Sequence, residues 1–188
     1  VRHDWAQYYD QITEMDAIAG KRLDELAEAG LADDTIVFFF SDHGSGMPRS
    51  KYWLYDSSIH VPLIVRFPAP YGSWSPGQAG STSDRLVSFV DFAPTVLSLA
   101  GVEIPPHMQG HAFLGPKADE PREYVYAIRD RMAERFDTVR VVRDKQFQYV
   151  RNFQPHRSWS QFVSYTEEMP TMKVWRAQAA AGQLNAIQ

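Results

Sequence analysis

Residues 35–68, TIVFFFSDHGSGMPRSKYWLYDSSIHVPLIVRFP, decide how this chain folds. The segment opens with Ile36, Val37, Phe38, Phe39 and Phe40. An unbroken apolar run of β-branched and aromatic residues reads as a strand buried on both faces. It stops at Ser41-Asp42-His43-Gly44, and a second apolar run follows at 61–67, after a loop that contains Lys51. In an open α/β sheet, ligands collect where strands end at their carboxyl edge. Here that edge carries a carboxylate and an imidazole, and the loop beyond it carries an ammonium.

Upstream, Ile12, Met15, Ile18, Ala19, Leu23 and Leu26 keep the three-and-four spacing of a helix face, so residues 5–29 read as a helix with Gly30 as its C-cap. Asp33, Asp34 and Thr35 turn the chain into the first strand. Helix, short turn and buried strand predict a parallel layer. Downstream, residues 68–77 are rich in Pro, Gly and Ser and read as a loop. A short apolar run at 86–90 leads to Asp91, which can cap the next helix, with Pro94 in its first turn and Gly101 at its end. Pro105 and Pro106 break the chain again, and residues 107–111 form a polar loop.

From Tyr124 the pattern changes. Residues 124–128 read as a strand followed by Arg129, Asp130 and Arg131. Residues 139–142 and 147–153 read as a hairpin joined by Arg143-Asp144-Lys145-Gln146. The tail from residue 167 reads as helical. The expected architecture is α/β: part of a mostly parallel sheet sandwiched by helices over residues 1–115, then a small antiparallel subdomain with a helix over 116–188.

The net charge of −4 gives no electrostatic reason to expect nucleic-acid binding. No apolar run approaches the ~20 residues of a membrane span. With no Cys there is no disulfide framework, zinc thiolate site or thiol nucleophile. The start is polar and lacks both a signal peptide and a Met, so the chain reads as a piece of a longer protein.

Asp42 and His43 suit a divalent metal, since a carboxylate and a neutral imidazole are both donors; they equally suit a loop cap and a single hydrogen bond. Lys51 can hold an anion such as sulfate or phosphate as a point charge, or be a solvated surface lysine. Arg49 is a weaker candidate for the same role. Arg129 and Arg131, with Asp130 between them, can grip an anionic substrate or form a surface ion-pair cluster. His107, His111 and His156 sit in Pro-flanked loops, where a His can contact substrate or be an ordinary surface residue. Asp56 and Asp91 read as structural.

The segments YYDQITEMD, DDTIVFFFSDHG, KYWLYDSSIHVPLIVRFP, DRLVSFVDFAPTVLSLAGVEIP and HMQGHAFLG occur in this order. Together they closely resemble the sulfatase family of the alkaline-phosphatase superfamily, over residues 8–115. The hairpin region, to about residue 157, resembles the smaller C-terminal subdomain of the same enzymes. The resemblance implies a metal site, usually calcium, with Asp42 and His43 as two ligands. It implies that Lys51 contacts the sulfate and stabilises transition-state charge. It also implies a formylglycine nucleophile, made within a Cys/Ser-x-Pro-x-Arg motif upstream of this region, together with another pair of metal-binding acids. The chain then looks like the C-terminal half of a sulfatase, inactive by itself. Arg129, Arg131 and His156 would rim the pocket and select a sulfated small molecule or carbohydrate. Many relatives are exported, which implies a periplasmic or extracellular location. Two rival readings are a phosphodiesterase or phosphonate monoester hydrolase of the same superfamily, and a non-catalytic module that keeps the fold.

Overall fold

The structure is a computed structural model and describes residues 1–158 and 160–186. The chain begins with a long helix, α1 (Arg2–Glu28). Gly30 ends it at φ 72°, with Gly30 N–H donating to Ala27 O and Leu31 N–H to Leu26 O. This paired pattern satisfies two terminal carbonyls and needs a residue that tolerates positive φ. The apolar residues Trp5, Tyr9, Ile12, Met15, Ile18 and Leu23 of α1 are exposed, and no residue of this helix is buried.

Strand β1 (Val37–Phe40) pairs with β2 (Leu63–Arg66), with Val37 opposite Arg66 and Phe40 opposite Leu63. The pairing of these two strands is antiparallel, within an expected sheet that is mostly parallel. The connecting loop is the reason. Ser41 N–H reaches Pro62 O at 3.3 Å and Gly44 N–H reaches Ser58 O at 2.9 Å, so the loop closes on itself and continues the ladder. Only the one-turn helix α2 (Asp56–Ile59) lies between the strands. β1 is also half-buried rather than buried on both faces. Its covered side meets helix α3 (Phe92–Leu99) and the 3₁₀ turn before it. The Phe40 ring stands edge-on to Phe92 at 4.9 Å, with Phe38 and Phe89 also in contact with the pair. α3 ends as predicted, at Gly101 with φ 69°.

Asp91 stands at the N-cap of α3, but its side chain makes no cap bond to that helix and is engaged elsewhere. It is 1% exposed and accepts from Ser88 N–H at 2.9 Å, closing a capping box on the 3₁₀ turn. It also accepts from His111 N–H at 2.8 Å and from the Arg122 guanidinium, at 3.0 Å from Nε and 2.5 Å from Nη2. Burial alone would raise its pKa, but the Arg122 bond and the two backbone N–H groups outweigh that and hold the carboxyl below the usual range.

The remaining sheet is antiparallel, as the sequence predicts, in the order β3 (Val125–Met132), β4 (Arg135–Arg143), β5 (Gln148–Asn152). Asp144 shapes the second hairpin turn by accepting from Gln146 and Phe147 N–H groups, which holds its carboxyl below the usual range. Two short helices close the chain, α4 (Ser164–Glu167) and α5 (Pro170–Ala180). The main apolar cluster joins Leu54 of the Lys51 loop to Val139 and Val141 of β4, with Ile59 and Ala127 against it. It therefore spans both parts of the chain, residues 1–115 and 116–188. No helix among the described residues is long and apolar enough to cross a membrane.

Candidate active site

The end of β1 delivers Asp42 and His43 side by side. The Asp42 side chain is 81% exposed and that of His43 41%, with Asp42 Oδ2 3.5 Å from His43 Nε2. The other ring nitrogen, Nδ1, lies 2.7 Å from Gly44 O, a backbone carbonyl that only accepts. Nδ1 therefore carries a proton, and in the neutral imidazole the lone pair then falls on Nε2. Ser41 Oγ donates to His43 O at 2.6 Å and fixes the backbone between them.

Gly44 is the hinge of the site. A Cβ there would sit 1.9 Å from Ser57 O, 2.4 Å from Ser50 Oγ and 2.8 Å from Ser58 Cα. The loop can press against α2 only because this side chain is missing. Ser50 Oγ donates to Ser57 O at 2.7 Å, and Ser57 Oγ donates to Arg49 O at 2.7 Å. Lys51 N–H donates to Ser45 O at 2.9 Å, tying the lysine backbone back to a residue two places after His43.

Lys51 is flanked by strain. Arg49 has φ 65° and Tyr52 φ 78°. Bulky residues rarely adopt positive φ, and such strain, about 1–3 kcal/mol per residue, clusters at functional sites. The Lys51 ammonium lies 4.6 Å from the Tyr165 ring centroid and 5.5 Å from that of Tyr52, and Nζ reaches Tyr165 Oη at 3.5 Å. The two tyrosines meet edge to face at 5.2 Å. Tyr165 comes from α4, far along the chain, and no motif in the sequence points to it.

The other predicted site residues fall elsewhere. Arg129 lies within β3 and is 2% exposed, so it does not present its guanidinium at a pocket rim. Its Nη1 is 3.1 Å from Asp137 Oδ2, and its guanidinium stacks 4.2 Å from the Trp53 ring centre. Nε, Nη1 and Nη2 make no hydrogen bond among the described residues, so the Asp137 contact is an ion pair without hydrogen-bond alignment. Burial pushes the Arg129 pKa down, against the pull of Asp137. Arg131 is exposed, donates from Nε to Ala133 O at 3.0 Å and lies 5.1 Å from the Phe136 ring. Asp130 pairs with Arg140 at 2.6 Å. His156 sits exposed in the turn after β5, and His107 is exposed in its own loop. Asp56, read as a loop acid, pairs with Arg143 of β4, and Gln148 donates to Leu54 O at 2.8 Å. Both contacts fasten the Lys51 loop to the antiparallel sheet.

Asp42 oxygen and His43 Nε2 can face one divalent cation, and the donor types fit. They form a partial set. Among the described residues no group of three or more His, Cys, Asp or Glu could hold a metal ion.

A sulfatase family model matches residues 2–102. An ulvan-active sulfatase from Formosa agariphila is 40% identical over 188 residues, which is 100% of this chain and 30% of that protein. Arylsulfatase K from Xenopus laevis is 36% identical over 118 residues, 61% of this chain and 21% of its own length. N-acetylglucosamine-6-O-sulfatase from Bacteroides thetaiotaomicron is 36% identical over 107 residues, 55% of this chain and 18% of its own length. A solved structure described as a complex with its substrate D-glucosamine-2-N,6-O-disulfate aligns at TM-score 0.65 and 22% identity, over 89% of this chain and 39% of that one. That likeness is one of fold. The chain thus spans less than a third of the length of these curated relatives. With a family model across more than half of its residues and a 40%-identical relative along all of them, the chain belongs to the sulfatase family.

Proposed function

We propose that this chain is part of an enzyme that hydrolyses the sulfate ester of a sulfated sugar. In this reading Asp42 and His43 hold a divalent cation, calcium, and Lys51 binds the sulfate. The observation that carries it is the end of β1. An exposed carboxylate and an imidazole whose Nε2 faces it lie 3.5 Å apart there, joined through Gly44 to a strained lysine loop. The names of the relatives support the substrate class, since they act on ulvan and on N-acetylglucosamine 6-O-sulfate.

In this reading the residues around the site divide the work. Gly44 O holds the His43 tautomer that presents a lone pair. The Ser50 and Ser57 bonds keep the loop closed, so Lys51 meets the substrate without reorganising. The Lys51 ammonium offsets sulfate charge as a compact point donor. A bound cation would polarise the sulfuryl group as a Lewis acid. The chain contains no Cys and no Ser-x-Pro-x-Arg sequence, and in this reading the formylglycine nucleophile that the family resemblance implies is supplied by another part of the protein. A periplasmic or extracellular location is part of this proposal, on the family resemblance alone.

The test uses the full-length protein with matched aryl sulfate and aryl phosphate esters, with and without chelator. Chelator-sensitive sulfate release, lost in Asp42→Ala and reduced at least a hundredfold in Lys51→Ala, is the expected result; one lost charge-stabilising contact costs about 2.7–4 kcal/mol of barrier. Preference for the phosphate ester would move the protein to the phosphodiesterase branch of the superfamily. Full activity in Lys51→Ala would remove the lysine from the mechanism.

A further inference from the structure

The first turns of α1 carry two stripes of different character. Trp5, Tyr9 and Ile12 form an exposed apolar one. Asp4, Gln7, Tyr8 and Gln11 follow the i, i+3, i+4, i+7 spacing of a single face, and this face is polar. It lines a cleft of about 280 Å³ whose opposite wall includes Gly46 and Met47 of the Lys51 loop. Asp4 is already engaged. It accepts from Thr171 N–H at 2.7 Å and from the Thr171 hydroxyl, satisfying donors in the first turn of α5. That bond pins α1 to α5 and sets the cleft width. The exposed Gln7 and Gln11 amides have no hydrogen-bond partner among the described residues.

The cleft adjoins the lysine. Tyr165 Oη lies 3.5 Å from Lys51 Nζ and 3.7 Å from where a Cβ on Gly46 would stand. One hydroxyl therefore bridges the ammonium and the cleft wall. α4, which carries Tyr165, is held by the fully buried Val163 beside it, by buried Thr166 and by an ion pair from Glu167 to Arg176 at 2.6 Å.

We propose that this cleft is the subsite for the sugar ring next to the sulfate, with Gln7 and Gln11 taking its hydroxyls while Lys51 takes the sulfate. The proposal rests on the sulfatase reading and deepens it. Primary amides both donate and accept, which suits the neighbouring hydroxyls of a sugar. The Tyr8 ring offers a flat apolar surface for the C–H face of a ring. The described lining contains no Lys or Arg, so the cleft has nothing for further sulfates on that ring. The preferred ligand is thus a saccharide with one sulfate at the ring held here.

The experiment uses the full-length protein and the double variant Gln7→Ala/Gln11→Ala. The first readout is the ratio of kcat/KM on a monosulfated disaccharide to that on an aryl sulfate. Loss of two neutral hydrogen bonds lowers that ratio about tenfold or more. The second readout is calorimetric binding of the desulfated disaccharide, which the double variant weakens by a similar factor while Lys51→Ala does not. An unchanged ratio, or equal loss on both substrates, together with unaltered binding of the desulfated sugar, overturns the subsite. If the wild type releases sulfate from neither substrate, the sulfatase reading fails, and the binding arm still decides whether the cleft takes a sugar.

Discussion

Removing the carboxylate of Asp137 strands a charge, and the consequence separates two roles for Arg129. Arg129 is 2% exposed and Asp137 4%, so water cannot solvate the guanidinium once its partner is gone. Breaking a buried pair from one side costs about 3–5 kcal/mol, because the remaining charge is uncompensated. Asp137→Ala is therefore expected to lose that much. Replacing both members, Arg129→Met with Asp137→Leu, removes the charge along with its partner, which is often neutral or stabilising by about 1–4 kcal/mol. The stack on Trp53 works against that gain, since a desolvated cation–π contact contributes about 2 kcal/mol or more. The double variant should thus fall near the wild type. Hydrogen exchange on the full-length protein reads the difference locally, in peptides covering β3 and Trp53. At about 1.4 kcal/mol per tenfold, Asp137→Ala should speed exchange there by hundreds- to thousands-fold. Equal damage from the single and double changes would mean that lost packing, and not a stranded charge, governs the site. A change below about 0.5 kcal/mol in both would refute the enclosure of Arg129 and return it to the candidates for gripping substrate.

Two further outcomes follow from named contacts. Gly44→Ala drives a methyl into Ser57 O and Ser50 Oγ, so the loop must shift; overpacking of this kind costs about 1–3 kcal/mol, and metal affinity and sulfate release should fall together, which calorimetry and an aryl sulfate assay check. Asp91→Asn is expected to cost about 2–3 kcal/mol at neutral pH through weakened bonds to Arg122 and His111, read as faster hydrogen exchange across residues 107–113. Because the folded state holds the Asp91 carboxyl below its ordinary value, its stabilisation is fully present above the unfolded value near about 3.9 and is lost as pH falls through the folded one. The gap between Asp91→Asn and wild type should therefore close in acid, and a pH-independent gap would contradict the charge-based account.

Local signals were legible in the sequence, and long-range ones were not. Gly30 and Gly101 announced helix ends because the cap is built within a few residues of each. The second hairpin was legible for the same reason, as Asp144 shapes its own turn. Asp42, His43 and Lys51 stand out because an apolar run stops at polar residues. The direction of the β1–β2 pairing is not legible in the sequence because it depends on how the loop closes, through Gly44 and Ser58. Arg129 reads as a loop residue because the sequence predicts a strand only to Ile128, whereas β3 continues to Met132. Extending the alternation of Val125 and Ala127 by two residues would have turned Arg129 inward. The register shift between Arg129 and Arg131 then leaves Asp130 and Arg131 both outside, which a strict period of two does not foresee.

The placement of Arg129 also explains why an antiparallel sheet sits behind the lysine loop. A backbone with positive φ at Arg49 and Tyr52 does not hold itself in place. Its neighbours must over-determine it. From below, Leu54 packs on Val139 and Val141, Trp53 rests on Arg129, and Asp56 pairs with Arg143. From the side, Ser50 and Ser57 bond the loop to α2. From above, Tyr165 of α4 meets the ammonium and the Tyr52 ring. Three of these contacts come from β3 and β4 and one from α4, all beyond residue 115. The second part of the chain therefore acts on the site by fixing where Lys51 stands, and the arginine that the sequence assigned to the substrate serves the lysine from behind.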